Sequence, residues 1–292
     1  MRLSSSCLKC ILDVRLREVL ESGLPDEAKT LAACDLIQYV AEVVRPRPRE
    51  IITYVASLAF RRVKELVGSD DPYLSYKLRS EEVARRVAEL VEGRVEGLSG
   101  YERFRALVVA SINANSIDPG IASYTFDAAE LSELVLRDEL AVDDTEEIYR
   151  ALRRARAVAY LLDNCGESIL DKLLIAELRS WGLKVYAVVK GGAYQNDVTV
   201  SDALRVGLDE VAELVSTESD FSSLIPGTYS ERVEEVLRES DLVVAKGMAH
   251  YETLSELELG RPVAFLLRAK CEPVARSLGV GVGENVALLR PQ

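Results

Sequence analysis

From about residue 156 onward, short apolar runs alternate with helical patterns, and this alternation limits the folds open to the chain. The runs are "AVAYLLD", "KVYAVVK", "EVAELVS", "DLVVAKG" and "PVAFLLRA". Between them lie "SILDKLLIAELRSWG", "SDALRVG", "SERVEEVLRES" and "HYETLSELELG", whose apolar residues recur three and four apart. Near-continuous apolar strands separated by helices describe βαβ units and a parallel sheet buried on both faces. Right-handed crossovers are expected to join them.

The first half reads differently. "CLKCILDVRLREVLESGL", "DEAKTLAACDLIQYVAEVV" and "IITYVASLAFRRVKELVG" are helical, punctuated by "GLPDE" and "RPRPRE". "SEEVARRVAELVEG" follows "DDPYLSYKLR", with Ser80 placed as an N-cap before acids. "YERFRALVVASINANSIDPG" begins as helix and ends in a polar turn. The fold class is therefore α/β: a helical N-terminal domain over residues 1–150, then a mostly parallel α/β domain over 151–292. No internal repeat or low-complexity tract interrupts it.

With 292 residues, 48% of them hydrophobic, the chain can bury one large core or two modest ones. No run of eighteen apolar residues is present, so no membrane span is expected. "MRLSSSCLKCILDV" does not have the form of a signal peptide, and a cytoplasmic location is expected. The net charge of −12 and sequence pI near 4.9 argue against a nucleic-acid partner. Five cysteines make a disulfide framework improbable. Cys7 and Cys10 form a CxxC without the second pair that four-thiolate zinc needs. Buried helical thiols, a regulatory disulfide and an adventitious metal site are the readings left for it.

In open α/β sheets, ligands bind beyond the carboxyl ends of the strands. The residues following each run therefore gather on one rim: Asp163-Asn164, Lys190 with "NDVTVSD", Ser216-Thr217, Lys246-Gly247 and Lys270-Cys271. Asp163, Asn164 and the Asn196-Asp197 pair offer hard oxygen donors suited to Mg²⁺ or Mn²⁺. A single histidine excludes a His-rich zinc site. Lys246, with Lys190 or Lys270, offers charge for phosphate oxygens. Metal plus lysine is what phosphoryl transfer needs, because that reaction rests on positioning and neutralisation. Taken alone, Asp163-Asn164 reads equally as a helix cap or Asx turn. Set beside Asp197 and Lys246, it reads better as half of a metal–phosphate site. Lys190 reads somewhat better as a solvated strand end, and "VVKGGAYQND" lacks the spacing of a dinucleotide loop.

At these residues the chain resembles a known family. "DNCGES", "QNDVTVSDA", "AKGMAHYETL" and "RAKCEPVARSLGV" look like motifs of the damage-control phosphatases, the ARMT-like metal-dependent phosphatases. "CLKCILDVRLREVL", "DPYLSYKLRS" and "NANSIDPG" resemble the helical half of its archaeal-type subfamily with a CxxC. The resemblance implies a Rossmann-like α/β/α sandwich preceded by a helical domain, a divalent metal (Mg²⁺, Mn²⁺, Co²⁺ or Ni²⁺) and hydrolysis of small phosphorylated metabolites. It implies Asp163, Asn164 and Asp197 as metal ligands and Lys246 as a phosphate ligand. Asn115 and Asp118 are implied to line the pocket from the helical side.

Two departures stand out. "KGMAH" puts His250 where the family usually has asparagine, and "ANSID" lacks the family's glycine. His250 reads either as a packed or solvent-facing helix-start residue or as a substrate contact. In the expected mechanism a metal-activated water attacks the phosphate, with Glu167 or Asp202 orienting or deprotonating it. An aspartyl-phosphate on Asp163 fits less well, because Cys165 stands where the phosphoaspartate pattern has a second Asp. Two other readings are a metal-stabilised metabolite-binding or regulatory protein without turnover and, less favoured, a methyltransferase. The expected partner is a small phosphorylated metabolite, with no nucleic acid and no membrane; a homo-oligomer is left open.

Overall fold

The computed structural model describes residues 1–116 and 135–291. The helical first half forms α1 (Ser5–Leu20), α2 (Asp26–Val44), α3 (Ile52–Val67), α4 (Leu74–Val95) and α5 (Gly100–Asn113). After them come β1 (Val142–Asp143), α6 (Thr145–Leu152), β2 (Ala157–Leu161), α7 (Cys165–Ser180) and β3 (Lys184–Val189). The chain continues through α8 (Val200–Arg205), β4 (Glu213–Ser216), α9 (Glu231–Glu239), β5 (Leu242–Lys246) and α10 (Gly247–Leu254). It closes with β6 (Val263–Arg268), α11 (Glu272–Leu278) and β7 (Asn285–Arg290). Among the described residues no helix is long and apolar enough to cross a membrane.

The strands form one seven-stranded sheet in the order β1-β7-β6-β5-β2-β3-β4. β2 to β6 run parallel, while β7 pairs antiparallel with β6 and parallel with β1. The sheet is mixed at one edge, where the six-residue β7 and the two-residue β1 complete it. All five residues of β2 and of β5 are buried. Their side chains alternate between two cores, as the strand period of two requires. Val158 and Tyr160 pack with α4, α5 and α7 on one face. Ala159 and Leu161 pack with α9, α10 and α11 on the other. Burial on both faces is why the strands read as unbroken apolar runs.

The helical half has two roles. Val19, Leu36, Val55, Phe60 and Val63 of α1–α3 form their own cluster, which Tyr194 joins from the loop after β3. α4 and α5 instead share the sheet's core through residues such as Val91, Phe104 and Leu107. One expectation about α4 changes. Ser80 does not begin a helix: α4 starts at Leu74, and the Ser80 hydroxyl donates to the Lys77 carbonyl inside it. Ser80 is buried because α4 packs along α7, and a Cβ at Gly166 would lie 3.0 Å from the Ser80 Cβ. That close approach keeps the two helices together at the rim.

Candidate metal and phosphate site

β2 neighbours β3 on one side and β5 on the other, and β5 follows β3 and β4 in the chain. The strand order thus reverses between β2 and β5, and a crevice opens beyond their carboxyl ends. α7 begins at Cys165 and α10 at Gly247, so two helix N-termini converge there, an arrangement favourable to anions.

Asp163 is buried immediately after β2. Its carbonyl accepts from the Val198 amide at 2.8 Å, and the Cys165 amide donates to the Asn196 carbonyl at 2.9 Å. An isolated antiparallel bridge joins Asn164 to Asp197. These main-chain bonds set Asp163, Asn164 and Asp197 side by side although two loops supply them. Asn164 is the N-cap residue of α7 but makes no side-chain cap bond. Its amide nitrogen instead donates to Asp163 Oδ2 and Glu167 Oε2, both at 3.0 Å. Asn115 reaches the same group from the end of α5, donating to Glu167 Oε2 at 2.9 Å and more weakly to Asp163 Oδ2 at 3.5 Å.

Burial, reinforced by the negative charge of Asp197, pushes the Asp163 carboxyl up to about 6. Burial likewise raises Asp197. It lifts Glu167 to about 7, although Lys246 pulls it down. Acids crowded out of water hold their protons more tightly than usual unless a cation joins them. The donor set fits a hard divalent cation: two carboxylates and an amide oxygen on adjacent backbone segments. Two further observations support that fit. Asp197 Oδ2 accepts no hydrogen bond despite its burial; Lys190 Nζ lies 3.1 Å away as an ion pair without hydrogen-bond geometry. Gly247 has φ +74°, and a Cβ there would sit 1.9 Å from Asp163 Oδ2, so the chain reserves that space for the carboxylate.

The lysines occupy unexpected positions. Lys190 is buried beside Asp197, because the loop after β3 folds back to pair its backbone with Val198 and Val200. Lys246 is fully buried. Its ammonium meets the Ser111 carbonyl at 2.9 Å, Asp171 Oδ1 at 2.9 Å and Glu167 Oε1. Two hydrogen bonds and one ion pair surround it, so it braces Glu167 rather than projecting into the cleft. Lys270, exposed after β6, does reach the cleft, donating to Asn115 Oδ1.

Asp202 departs from its expected role. It forms a capping box with Thr199 at the start of α8 and pairs with Lys77 at 3.0 Å and with Arg205. Against the cost of burial, bonds from Thr199 and Arg205 and the charge of Lys77 hold it well below the usual carboxylate range. It is therefore an ionised structural anchor, paired away from the cleft. His250 is packed rather than exposed: Nε2 lies 3.2 Å from the Leu162 carbonyl and Nδ1 3.0 Å from Ser223 Oγ. The carbonyl can only accept, so Nε2 carries the proton and Nδ1 accepts from the serine. Burial, helped by Lys190, holds its pKa well below the ordinary value, and the ring is a neutral support under β2. Asp118 lies outside the described residues.

A cleft of about 180 Å³ is lined by Tyr76, Ser80, Asn115, Asn164, Glu167 and Lys270, among others. Larger hollows lie elsewhere, but the one beside α3 holds Arg61 and Lys64 already paired to Asp220. A second acidic group, Glu81, Cys165 and Asp202, has ligand atoms within 4.8 Å of one another. Lys77 and Arg205 neutralise its carboxylates, and burial keeps the thiol protonated, so it suits a cation less well than the rim does.

Sequence reasoning missed Asp171, which is fully buried and reads by itself as a surface helix charge. A signal was present: Asp171 lies on the stripe of Leu170, Leu174, Ile175 and Leu178 that α7 buries.

The chain is 37% identical over 294 residues to a damage-control phosphatase of Archaeoglobus fulgidus, covering 98% of this chain and 99% of that one. It is 32% identical over 294 residues to a damage-control phosphatase of Pyrococcus horikoshii, covering 99% and 98% respectively. An uncharacterized protein of Methanocaldococcus jannaschii is 31% identical over 296 residues, covering 99% of this chain and 96% of that one. In three dimensions the chain matches the crystal structure of a DUF89 family protein from Pyrococcus horikoshii with a TM-score of 0.88, at 32% identity and full coverage of both chains. The model of the damage-control phosphatase ARMT1-like domain matches residues 3–286, and the chain belongs to that family.

Proposed function

We propose that this protein is a divalent-metal-dependent phosphatase that hydrolyses small phosphorylated metabolites. Membership of the damage-control phosphatase family supports phosphatase chemistry. The observation that carries the finer reading is that Asp163 and Asp197 flank Asn164 at the switch point, directly behind a cleft lined by Asn164, Glu167 and Lys270. Asp163, Asn164 and Asp197 would hold the ion. When bound, a divalent cation supplies neutralisation of phosphoryl charge and acidifies water.

The chain's own residues supply the rest. Lys270 stands at the mouth with Asn115, placed to pair with phosphate oxygens. The N-termini of α7 and α10 add favourable dipoles. Glu167 is raised to about 7 by burial, which suits a general base near neutral pH. It takes the proton of the water that attacks phosphorus, while the ester P–O bond breaks and solvent protonates the departing oxygen. The cleft is lined by polar and charged groups, Asn115, Asn164, Glu167 and Lys270, which suits an anionic group such as phosphate.

The test is phosphate release from a panel of sugar phosphates with Mg²⁺, Mn²⁺, Co²⁺ or Ni²⁺. Turnover is expected with at least one metal, and Asp163→Ala and Asp197→Ala are expected to abolish it. Lys270→Ala is expected to raise KM by about tenfold or more, the loss of one charge-assisted contact. Full activity in the Asp163 and Asp197 variants would defeat the metal assignment. Ligand-dependent thermal shifts without turnover under any metal would point to a binding protein instead.

A further inference from the structure

We propose that Asp171 is a positioning residue of the reaction: with Tyr160 and Ser111 it fixes the Lys246 ammonium and, through it, the Glu167 carboxylate. The proposal rests on the phosphatase reading above. Four elements meet at this point: β2 brings Tyr160, α5 Ser111, α7 Asp171 and Glu167, and β5 Lys246. Tyr160, Ser111, Asp171 and Lys246 are all fully buried. Asp171 Oδ1 accepts from Ser111 Oγ at 2.6 Å and Tyr160 OH at 2.8 Å, and lies 2.9 Å from Lys246 Nζ.

Stability alone does not account for the arrangement. One lysine and one glutamate would already balance charge, and Asp171 adds a second buried carboxylate. Its other oxygen, Oδ2, is buried with no hydrogen-bond partner. A buried carboxylate oxygen without a partner carries a desolvation cost, which the fold bears while all the contacts of Asp171 gather on Oδ1. What Asp171 supplies is direction. The ammonium donates to the Ser111 carbonyl and to Glu167 Oε1, and the Asp171 charge 2.9 Å away holds it in that direction. Glu167 Oε2 is thereby turned toward Asn115 and Asn164 and the cleft. Without Asp171 the ammonium keeps only the Ser111 carbonyl opposite Glu167, and the Oε1 side of Glu167 is held less firmly.

The test compares phosphate release by the unsubstituted protein, Asp171→Asn, Lys246→Met and the double variant, with near-ultraviolet circular dichroism confirming the fold of each. Asp171→Asn is expected to lower kcat about a hundredfold while KM stays within about twofold, because an electrostatic support realised mainly in the transition state is lost. The double variant is expected to be no slower than Lys246→Met alone, since residues acting through one another are non-additive. Multiplying effects in the double variant, or a folded Asp171→Asn protein with kcat within about threefold of normal, would overturn the proposal. If Asp171→Asn does not fold, Tyr160→Phe and Ser111→Ala each remove one bond and are expected to cost about 3–10-fold in kcat; unchanged kcat in both would overturn it equally. Absence of turnover by the unsubstituted protein defeats the phosphatase reading, and the positioning role with it. Turnover with an insensitive Asp171 defeats the positioning role alone.

Discussion

Asp163 and Gly247 occupy each other's space: a Cβ on Gly247 would lie 1.9 Å from Asp163 Oδ2 and 2.4 Å from its Cγ. They stand at the ends of β2 and β5, the two strands between which the sheet changes direction. Gly247→Ala therefore meets two obstacles, the clash and a φ of +74° that L side chains rarely adopt. Gly68 has φ +67° with nothing within 4 Å of its would-be Cβ, so Gly68→Ala carries the backbone cost alone. Both variants are expected to lose about 1 kcal/mol or more of stability. Only Gly247→Ala should displace Asp163, with phosphate release falling about a hundredfold and divalent-ion affinity weakened. Equal activity in the two variants would sever the glycine from the site.

Asp163 sits near 6, raised first by burial and then by Asp197, and Asp197 is raised as well. A carboxylate raised in this way binds its proton more tightly than usual, so below that pH a proton competes with the cation. Ion affinity is expected to fall by at least about tenfold per pH unit below 6 and to level off above it, with proton release on binding. Calorimetric titration with Mn²⁺ at pH 5, 6 and 7.5, in buffers of differing ionisation enthalpy, measures both. A pH-independent affinity would remove Asp163 from the ligand set.

His250 titrates in the opposite sense. Its folded pKa lies well below the ordinary 6.5 because of burial and Lys190. A depressed value means stability is complete above the unfolded pKa and drains away as pH falls toward the folded one. Between pH 7.5 and 5 the melting temperature of the protein is therefore expected to fall more steeply than that of His250→Gln. Parallel curves would show that the ring does not resist protonation.

Arg15, buried in α1, donates to Glu18 Oε1 at 2.6 Å and to the Tyr194 hydroxyl at 2.8 Å. Glu18 Oε1 also accepts from Tyr73 at 2.7 Å and Gln195 at 3.0 Å. Gln195, two residues before Asp197, has the unusual φ of +43°, and this network holds it there. Glu18→Ala leaves a buried guanidinium without its carboxylate, at about 3–5 kcal/mol, and should lower the melting temperature by roughly 10 °C. Because the same bonds steady the loop bearing Asp197, Mn²⁺ affinity should weaken too. A thermal loss without any change in ion binding would confine the network to the helical layer.

Strand periodicity and the rule about carboxyl ends were enough to locate the rim, since both depend on local pattern. The runs ending at Asp163, Lys190, Ser216 and Lys246 became neighbouring strands in one sheet. Roles set by packing were not legible in the same way. Ser80 looked like a cap, but α7 presses a helix through it. Asp202 and Lys246 looked free to meet substrate, but Lys77, Arg205, Glu167 and Asp171 claim them, and those partners are distant in sequence or supplied by other elements. The segments "AVDD" and "ENVALLR" gave no separate signal, because β1 has only two residues and is ordered by pairing with β7.

The reversal of strand order also sets a sequence of events. β2 hydrogen-bonds to β5, placing Tyr160 opposite Val244 and Leu161 opposite Ala245, but the chain must first lay down β3 and β4. Closing so long a loop is entropically late and kinetically slow. The segments bearing Asp163, Asn164 and Asp197 can therefore come together on a half-formed sheet before Lys246 or Gly247 arrives. On the proposed metal reading, the segments offering the oxygen donors would need only the β2–β3 pair, and the wall that faces them would be completed when β5 closes the crevice.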